Sequence, residues 1–456
     1  MLSNVPHSFA SPFLPNPLNH DENVDPSLGN GDVLLQSLYN SLANLSLTVN
    51  SGPCTTTNGS HITSEASCNV TTTANTTLIH GNADNSIPQP VPSLPAVVTV
   101  TPVFPPGDNV VFAHSSFFAR LAPALGTRCC SSQPPPHCPE LPAPAHVRAA
   151  VEASAAAAGI AGMAPGAARL VPFPALGLLV KYGSERLASG GVSAAEAKAM
   201  LLVRRALAPV LAPLPVPVPE VFGWRRDADT AERFLYMDLP QGEILEDRWA
   251  GLSEVEREAV CSQLRDVVAA WRRLRLGGVE FVGAVDNGPL QDEVFHTPTM
   301  LGAPPAGPFP TVAAFHDYFV SMAVTVSQSR YPGPGGSSGG SGGGGQVRYT
   351  PHHLFPEHVP VVFTHGALHP RNVVVSAGPR PRVVAILGWD QAGWYPAYWE
   401  LCKARLECSR RGGRLDGWEA KYLPWILDSQ GLDGEMQGWR LGALAQYWDY
   451  FVGLMQ

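Results

Sequence analysis

The distribution of hydrophobic residues divides the chain near residue 110. Residues 1–110 are rich in Ser, Thr, Asn and Pro and show no sustained hydrophobic periodicity. Such a segment buries too little apolar surface to offset the conformational entropy that is lost on ordering. We therefore predict that residues 1–110 form a disordered region.

From residue 141 onward, short apolar blocks alternate with polar turns, a pattern that predicts a mixture of helices and strands. The expected elements are a helix over residues 145–158, strands over 169–173 and 178–182 joined by a tight turn, a helix from Ser193, and a strand over 234–237. Pro172 cannot donate a backbone hydrogen bond, so the first of these strands is expected at a sheet edge.

The clearest helix signal begins at Ser253. Ser253 and Glu256 have the spacing of a capping box, in which each residue satisfies a backbone N–H of the other. Apolar residues then recur at helical spacing on one face. They are Val260, Leu264, Val267, Val268, Trp271 and Leu274. We interpret Trp271 as a core residue of this helix.

The C-terminal half contains three apolar blocks that predict strands. They span residues 361–364, 373–375 and 383–387, and the tail from Trp394 onward is predicted to be helical. Residues 333–345 are almost entirely Gly and Ser and predict a flexible insertion before the first of these strands.

Charge and cysteine content exclude several classes of partner. The first basic residue is Arg120, and the remainder of the chain carries 31 acidic against 30 basic residues without a basic stripe, so we expect no nucleic-acid partner. The chain has neither a signal-peptide pattern nor a run of about 18 apolar residues, so no membrane partner is expected and a cytoplasmic location is predicted. The eight cysteines lack metal-site spacing and are predicted to be free thiols.

The most informative stretch follows the predicted strand 361–364. It reads His-Gly-Ala-Leu-His-Pro-Arg-Asn over residues 365–372, and Ile-Leu-Gly-Trp-Asp follows over residues 386–390. These strings resemble the H-G-D-x-x-x-x-N loop, and the later strand ending in Asp, of aminoglycoside phosphotransferases and choline kinases. The resemblance extends over residues 141–456.

This resemblance implies a fold as well as a chemistry. The implied fold is α+β and bilobal, like that of protein kinases, and it follows the disordered N-terminal region. A small, β-rich N-lobe would span about residues 141–240. A larger, mainly helical C-lobe would span about residues 241–456.

The resemblance also assigns roles to individual residues. Lys181 matches the nucleotide-binding lysine, and Glu196 matches the helix glutamate that pairs with it. Met237 and Leu239 lie in the segment that matches the nucleotide-binding hinge, and Asn372 matches a metal ligand. Phosphoryl transfer needs positive charge that stabilises the phosphates, such as a lysine and a metal ion supply, together with a positioned nucleophile. ATP is therefore the implied cofactor.

Two carboxylates of the family pattern are missing. The position of the loop Asp, which accepts the proton of the substrate hydroxyl, holds Ala367, and the position of the metal-binding Asp holds Gly388. Asp390 lies two residues further on and is the candidate substitute. If the backbone there is strand-like, Asp390 points the same way as residue 388 but is displaced by roughly 6–7 Å.

Two functions of different class remain open. The first is a catalytically impaired pseudoenzyme that still binds nucleotide, with magnesium binding weak or absent, because magnesium sites commonly use only one or two carboxylates. The second is an active small-molecule phosphotransferase that uses Asp390. The partner beyond nucleotide, whether a small molecule or a protein, is not specified by the sequence.

Five histidines that lie close together in the sequence offer a zinc site as an alternative. They are His352, His353, His358, His365 and His369. A zinc site needs three or four ligands that converge on one point, and no supporting motif accompanies these residues. We instead expect His365 to brace the loop inside the core and His369 to be exposed.

Overall fold

The structure is a computed structural model. It describes residues 69–72, 97–121, 140–157, 168–184, 191–211, 216–297, 300, 302–330, 355, 359–410, 415–427 and 441–455. The predicted Gly/Ser insertion at 333–345, and most of the predicted disordered region, lie outside the described residues, so both stay predictions.

Strands and helices are numbered here in chain order. The strands are β1 (Asn69–Thr72), β2 (Val98–Thr101), β3 (Val110–Val111), β4 (Arg169–Phe173), β5 (Leu178–Gly183), β6 (Val221–Arg226), β7 (Arg233–Asp238), β8 (Glu243–Ile244), β9 (Leu274–Leu276), β10 (Gly283–Ala284), β11 (Val361–Thr364), β12 (Val373–Val375), β13 (Val383–Ile386) and β14 (Gly393–Pro396). The helices are α1 (Ser116–Leu121), α2 (Pro144–Ala157), α3 (Ala194–Leu211), α4 (Leu245–Arg248), α5 (Glu254–Trp271), α6 (Val312–Arg330), α7 (Trp399–Arg410), α8 (Leu423–Leu427) and α9 (Leu441–Met455).

An antiparallel five-stranded sheet forms one part of the molecule, with the strand order β3-β6-β7-β5-β4. The predicted pair of strands is confirmed as β4 and β5. Gly177 makes their tight turn possible, because its φ of 57° lies in the left-handed region that glycine adopts without strain. β4 lies at the sheet edge, as the proline at 172 predicted.

Helix α3 packs against this sheet and against the turn at 389–391. Its buried face includes Met200, Leu202 and Val203, and Glu196 lies in its first turn. Helix α3 therefore places the carboxylate of Glu196 on an element that packs against the turn at 389–391.

The C-terminal part contains helices and two three-stranded sheets, with the orders β10-β14-β11 and β13-β12-β8. Helix α5 has the predicted capping box at Ser253 and Glu256, and Trp271 is fully buried near its end. The strands predicted at 361–364 and 373–375 are confirmed with those bounds, and the third ends at Ile386.

Two expectations differ from the structure. Residues 97–110 were expected to be disordered, yet β2 pairs in parallel with β9 and buries Val98 and Val100. The stretch is too short to show sustained periodicity, and its partner strand lies more than 170 positions away in the sequence. The tail was expected to be helical from Trp394, but Trp394 lies in β14, paired with β11, and helix α7 begins only at Trp399.

The α+β class is confirmed by these elements, whereas the division into two lobes near residue 240 stays a prediction. No helix in the described segments has the length and apolar character needed to span a membrane. A cytoplasmic location also stays a prediction. Cys261, Cys402 and Cys408 are buried free thiols, as expected.

Candidate functional site

The loop 365–372 is held at its start by a buried carboxylate. Glu400, in the first turn of α7, accepts hydrogen bonds from the backbone N–H of His365 at 2.6 Å and of Gly366 at 3.1 Å. Gly366 has a φ of 79°, and a Cβ there would lie 2.9 Å from the carbonyl oxygen of Gln391. Only glycine fits this close approach, which explains the residue between His365 and Ala367.

The environment of Glu400 is unusual for a carboxylate. Burial raises its pKa, although nearby Arg272 and the two backbone donors oppose the rise. Arg272 is itself buried, and its guanidinium donates to the carbonyl oxygen of Ala397 at 2.9 Å. The loop is thus tied through Glu400 to the helical part of the molecule.

His365 braces the loop from inside the core, as predicted. The backbone N–H of Ala367 donates to its Nδ1 at 3.1 Å, so Nε2 carries the proton and donates to the carbonyl oxygen of Leu387 at 3.0 Å. Its ring lies against Trp389, with 4.4 Å between the ring centroids. Burial lowers the pKa of His365 to about 4, so the ring is neutral near pH 7.

The expectation that His369 is exposed is wrong. Its side chain is buried, and its Nδ1 accepts a hydrogen bond from the backbone N–H of Arg371 at 3.3 Å. It thereby caps the 3₁₀ turn Pro370–Asn372. A capping role draws the ring back against the backbone, which a sequence pattern does not reveal.

The position of the missing base is enclosed by the loop itself. Ala367 is buried, and its carbonyl oxygen accepts a hydrogen bond from Nδ2 of Asn372 at 2.8 Å. The backbone N–H of Leu387 donates to the carbonyl oxygen of Asn372 at 2.7 Å. These bonds fix Asn372 between the loop and the end of β13.

The position of the missing metal ligand faces Asn372. Gly388 has φ 78° and ψ 45°, and a Cβ there would lie 2.9 Å from Nδ2 and 3.2 Å from Oδ1 of Asn372. The structure therefore brings together the two positions that the resemblance assigns to the metal, Asn372 and residue 388. At residue 388 there is no side chain to bind a cation.

Asp390 lies beside Lys181. Nζ of Lys181 lies 2.8 Å from Oε2 of Glu196 and 3.2 Å from Oδ1 of Asp390. The assumption of a strand-like backbone at 388–390 is wrong, because β13 ends at Ile386 and Gly388 turns the chain. Residues 389–391 then form a 3₁₀ turn that directs Asp390 toward the lysine.

The ionisation of this Lys181–Glu196–Asp390 triad reflects its burial. Burial raises the pKa of Glu196 to about 7, against the attraction of Lys181. Burial opposes the charge on Lys181, but Asp390 and Glu196 outweigh it and raise the pKa of the lysine. Lys181 therefore stays charged at neutral pH, with two carboxylates competing for it.

The hinge segment offers few donors to a ligand. Met237 is buried within β7, and the backbone N–H of Leu239 donates to the carbonyl oxygen of Gly177 at 3.1 Å. The N–H of Asp238 donates to the carbonyl oxygen of Glu220 at 2.8 Å, and Pro240 has no N–H. At residues 238–240 a purine base would therefore find no available backbone donor.

A buried ion network supports the turn that carries Asp390. Nζ of Lys403 contacts Oδ1 of Asp292 at 2.9 Å, Oε1 of Glu293 at 2.9 Å, and Oε1 of Gln391 at 3.0 Å. The side-chain oxygen of Gln391 also accepts the backbone N–H of Glu293 at 3.1 Å. Sequence reasoning missed this network, because Asp292 and Glu293 lie more than 90 positions before Gln391 and Lys403 and the four residues belong to no recognised motif.

The zinc alternative receives no support from the described residues. His365 and His369 have structural roles, and among the described residues no three His, Cys, Asp or Glu side chains are placed to hold a metal ion. His352, His353 and His358 lie outside the described residues.

Comparison with solved structures finds aminoglycoside phosphotransferases at low sequence identity. APH(3'')-Id from Streptomyces rimosus is 16% identical, with 67% of this chain and 98% of that chain covered and a TM-score of 0.33. An aminoglycoside-3'-phosphotransferase of type VIII is 14% identical, with 65% and 91% covered and a TM-score of 0.35. A thermostable mutant of APH(4)-Ia, in a ternary complex with ADP and hygromycin B, is 16% identical, with 61% and 86% covered and a TM-score of 0.28.

A comparison with curated proteins finds no match. The family model that matches is described as the phosphotransferase enzyme family, and it covers residues 349–428. This segment contains the loop 365–372, residue 388 and Asp390. Over residues 349–428 the chain is therefore similar to the phosphotransferase enzyme family, which confirms the resemblance drawn from its motifs.

Proposed function

We propose that this protein is a catalytically impaired, kinase-like pseudoenzyme that acts by binding. One observation carries the proposal: the loop 365–372 is fully built, but the positions of its base and of its metal carboxylate hold Ala367 and Gly388. A positioned general base contributes roughly 10²–10⁴ in rate, and its loss alone would make transfer slow. Without a carboxylate at 388, a magnesium ion loses a charged ligand as well.

Nucleotide is the ligand that the remaining groups favour. Lys181 retains the charge that phosphates require, and its partner Glu196 holds it in place. ATP is the candidate nucleotide, bound weakly, because the backbone N–H groups of Asp238 and Leu239 are already hydrogen-bonded and Lys181 already contacts two carboxylates. Magnesium should add little to this affinity.

A second function, active phosphoryl transfer, is favoured by the position of Asp390. Its carboxylate lies 3.2 Å from Nζ of Lys181, and its side chain keeps 18% exposure. A nucleotide-bound cation that drew this carboxylate away from Lys181 would give the site one metal ligand. The small molecule or protein that such a site would act upon is not specified by its residues.

The test is ATP binding by calorimetry, once with magnesium and once with EDTA. The proposal expects weak binding that is nearly equal in the two conditions and is lost in Lys181→Ala. Lys198→Ala is the matched control, because it breaks an exposed pair with Asp286 at 2.6 Å on the same helix as Glu196. A strong magnesium requirement would favour the active enzyme, and no binding at all would reject the nucleotide.

A further inference from the structure

We infer that Asp390 is a built-in competitor for the phosphate groups of a ligand: its carboxylate occupies Lys181, so that any phosphate-bearing ligand must first displace it. The inference deepens the proposed nucleotide binding and rests on it. It predicts that weakening the Asp390 contact increases affinity for phosphates, whereas loss of an ordinary supporting residue would decrease it.

Lys181 already donates to two carboxylates. An ammonium group has three donors, and two of those of Lys181 are directed at carboxylates, at 2.8 Å for Glu196 and 3.2 Å for Asp390. Only 12% of the lysine side chain is exposed. A charge-assisted bond in such a water-poor place is stronger than one at the surface. An incoming phosphate therefore competes directly with Asp390.

The two carboxylates are not equivalent. Glu196 lies inside the core on helix α3, with 2% of its side chain exposed, so it is a fixed part of the packing. Asp390 is the more exposed of the two and approaches Lys181 from the turn at 389–391. Asp390 is therefore the carboxylate that a ligand can displace.

The position of Asp390 is fixed by its neighbours on both sides. The indole Nε1 of Trp389 donates to the carbonyl oxygen of Ile386 at 2.7 Å, and the ring is fully buried. Gln391 is held by Lys403 through its side chain, and its carbonyl oxygen accepts the hydroxyl of Tyr395 at 3.0 Å. Only the Asp390 side chain is left to rotate, so it stays tethered close to Lys181.

The net charge of the Lys181–Glu196–Asp390 triad also opposes the binding of phosphate. When Glu196 and Asp390 are both ionised, which for Glu196 requires a pH above its pKa of about 7, the three groups carry a net charge of −1, which repels the phosphates of a ligand. Removing the charge of Asp390 leaves a neutral Lys181–Glu196 pair with one donor newly available. The ligand class affected is any di- or triphosphate, whatever base it carries.

The test compares Asp390→Asn and Asp390→Ala with the wild-type chain by calorimetry in EDTA, so that no divalent cation contributes. The probes are ATP, inorganic tripolyphosphate and adenosine. Loss of one charge-assisted competitor should increase the affinity for ATP and tripolyphosphate about tenfold. Affinity for adenosine should not change, because the competition concerns phosphate alone.

Asp286→Asn is the matched control, since it neutralises an aspartate that pairs with a lysine, Lys198, outside the triad. It should leave all three affinities unchanged. Thermal unfolding of each variant establishes that the chain is folded, and the Asn variant keeps the shape of the side chain. A gain for phosphates in both Asp390 variants supports the inference.

Equal ATP affinity in wild type and the Asp390 variants, or weaker binding by the variants, overturns the inference and leaves the proposed nucleotide binding intact. Binding by the variants alone supports the inference and rejects nucleotide as a ligand of the wild-type chain. No binding by any folded variant rejects both. A gain that extends to adenosine also overturns the inference, because it would indicate a general opening of the cleft.

Discussion

At the scale of single residues, the candidate site lacks two carboxylates of the family pattern and has one additional carboxylate beside Lys181. Ala367 cannot accept a proton, and Gly388 cannot bind a cation, although residue 388 faces Asn372. Asp390 adds a negative charge at Lys181. The backbone of Gly388 lies in the left-handed region, which Asp tolerates better than most residues. A Cβ there meets the end of the Asn372 side chain and not backbone, so the carboxylate can be introduced if this side chain shifts, and thermal unfolding checks that the variant is folded.

The ionisation of Glu196 gives a prediction about stability and pH. Its pKa is raised from 4.5 to about 7 by burial, so its contribution to stability is present below pH 4.5 and is lost as the pH rises through about 7. Glu196→Gln removes this titration. The free energy of unfolding of wild type, measured relative to that of the variant, should fall between pH 5 and pH 7.5.

Lys181 does not contribute to this change between pH 5 and pH 7.5, because its pKa is raised from an ordinary value of 10.5 and it stays charged throughout. Glu243→Gln, which changes an exposed glutamate, provides the control and should follow wild type across the range. Parallel curves for wild type and Glu196→Gln would show that burial does not perturb this carboxyl group as described.

Several features of individual residues were predictable, and others were not. The pairing of Lys181 with Glu196 and the bracing role of His365 follow from the resemblance and from the loop pattern. The position of the Asp390 side chain beside Lys181 was not predictable, because it depends on the left-handed Gly388 and on the 3₁₀ turn at 389–391. Spacing alone does not distinguish that turn from a strand.

At the scale of elements, the segment before residue 121 links distant parts of the chain. β2 pairs with β9, which directly follows helix α5, while β3 pairs with β6 of the five-stranded sheet. Nη1 of Arg120 in α1 lies 3.0 Å from Oδ1 of Asp238, a residue of the segment that the resemblance matches to the hinge. Residues 97–110, which sequence composition assigned to disorder, thus contribute strand pairs with both β9 and β6.

Buried positions in β2 provide a prediction for this segment. Val98 and Val100 are fully buried, so Val98→Ala with Val100→Ala should lower the free energy of unfolding by roughly 2 kcal/mol or more. Val97→Ala with Val103→Ala is the matched control, because these two residues are 43% and 49% exposed. Chemical unfolding measures the difference. Equal stability of the two double variants would mean that β2 is dispensable.

Strand β6 and helix α6 were not predicted from the pattern. Other strands and helices of the core were, because their apolar spacing is set by the side of the element that faces the core. Helix α5 is an example, with its capping box and buried face. β2 and β14 were missed, because a strand of four residues gains its stability from a distant partner and not from its own pattern.

At the scale of the whole molecule, the structure places one charged triad between the sheet and the helical part. Lys181 comes from β5 and Glu196 from α3, whereas Asp390 comes from the turn after β13. The segment that matches the phosphotransferase family, residues 349–428, contributes only the last of these. Its loop is intact in backbone and altered in chemistry, which favours a protein that binds without transferring phosphate.

The central claim, impaired phosphoryl transfer, is tested most directly by ATP turnover in the wild-type chain and in Ala367→Asp/Gly388→Asp, assayed with magnesium and a panel of amines and alcohols. Wild type should show no turnover above background. The double variant should gain activity, and each single variant should gain less, since base and metal act on the same transition state. Robust turnover by wild type that is abolished by Asp390→Ala would contradict the account and establish an active enzyme.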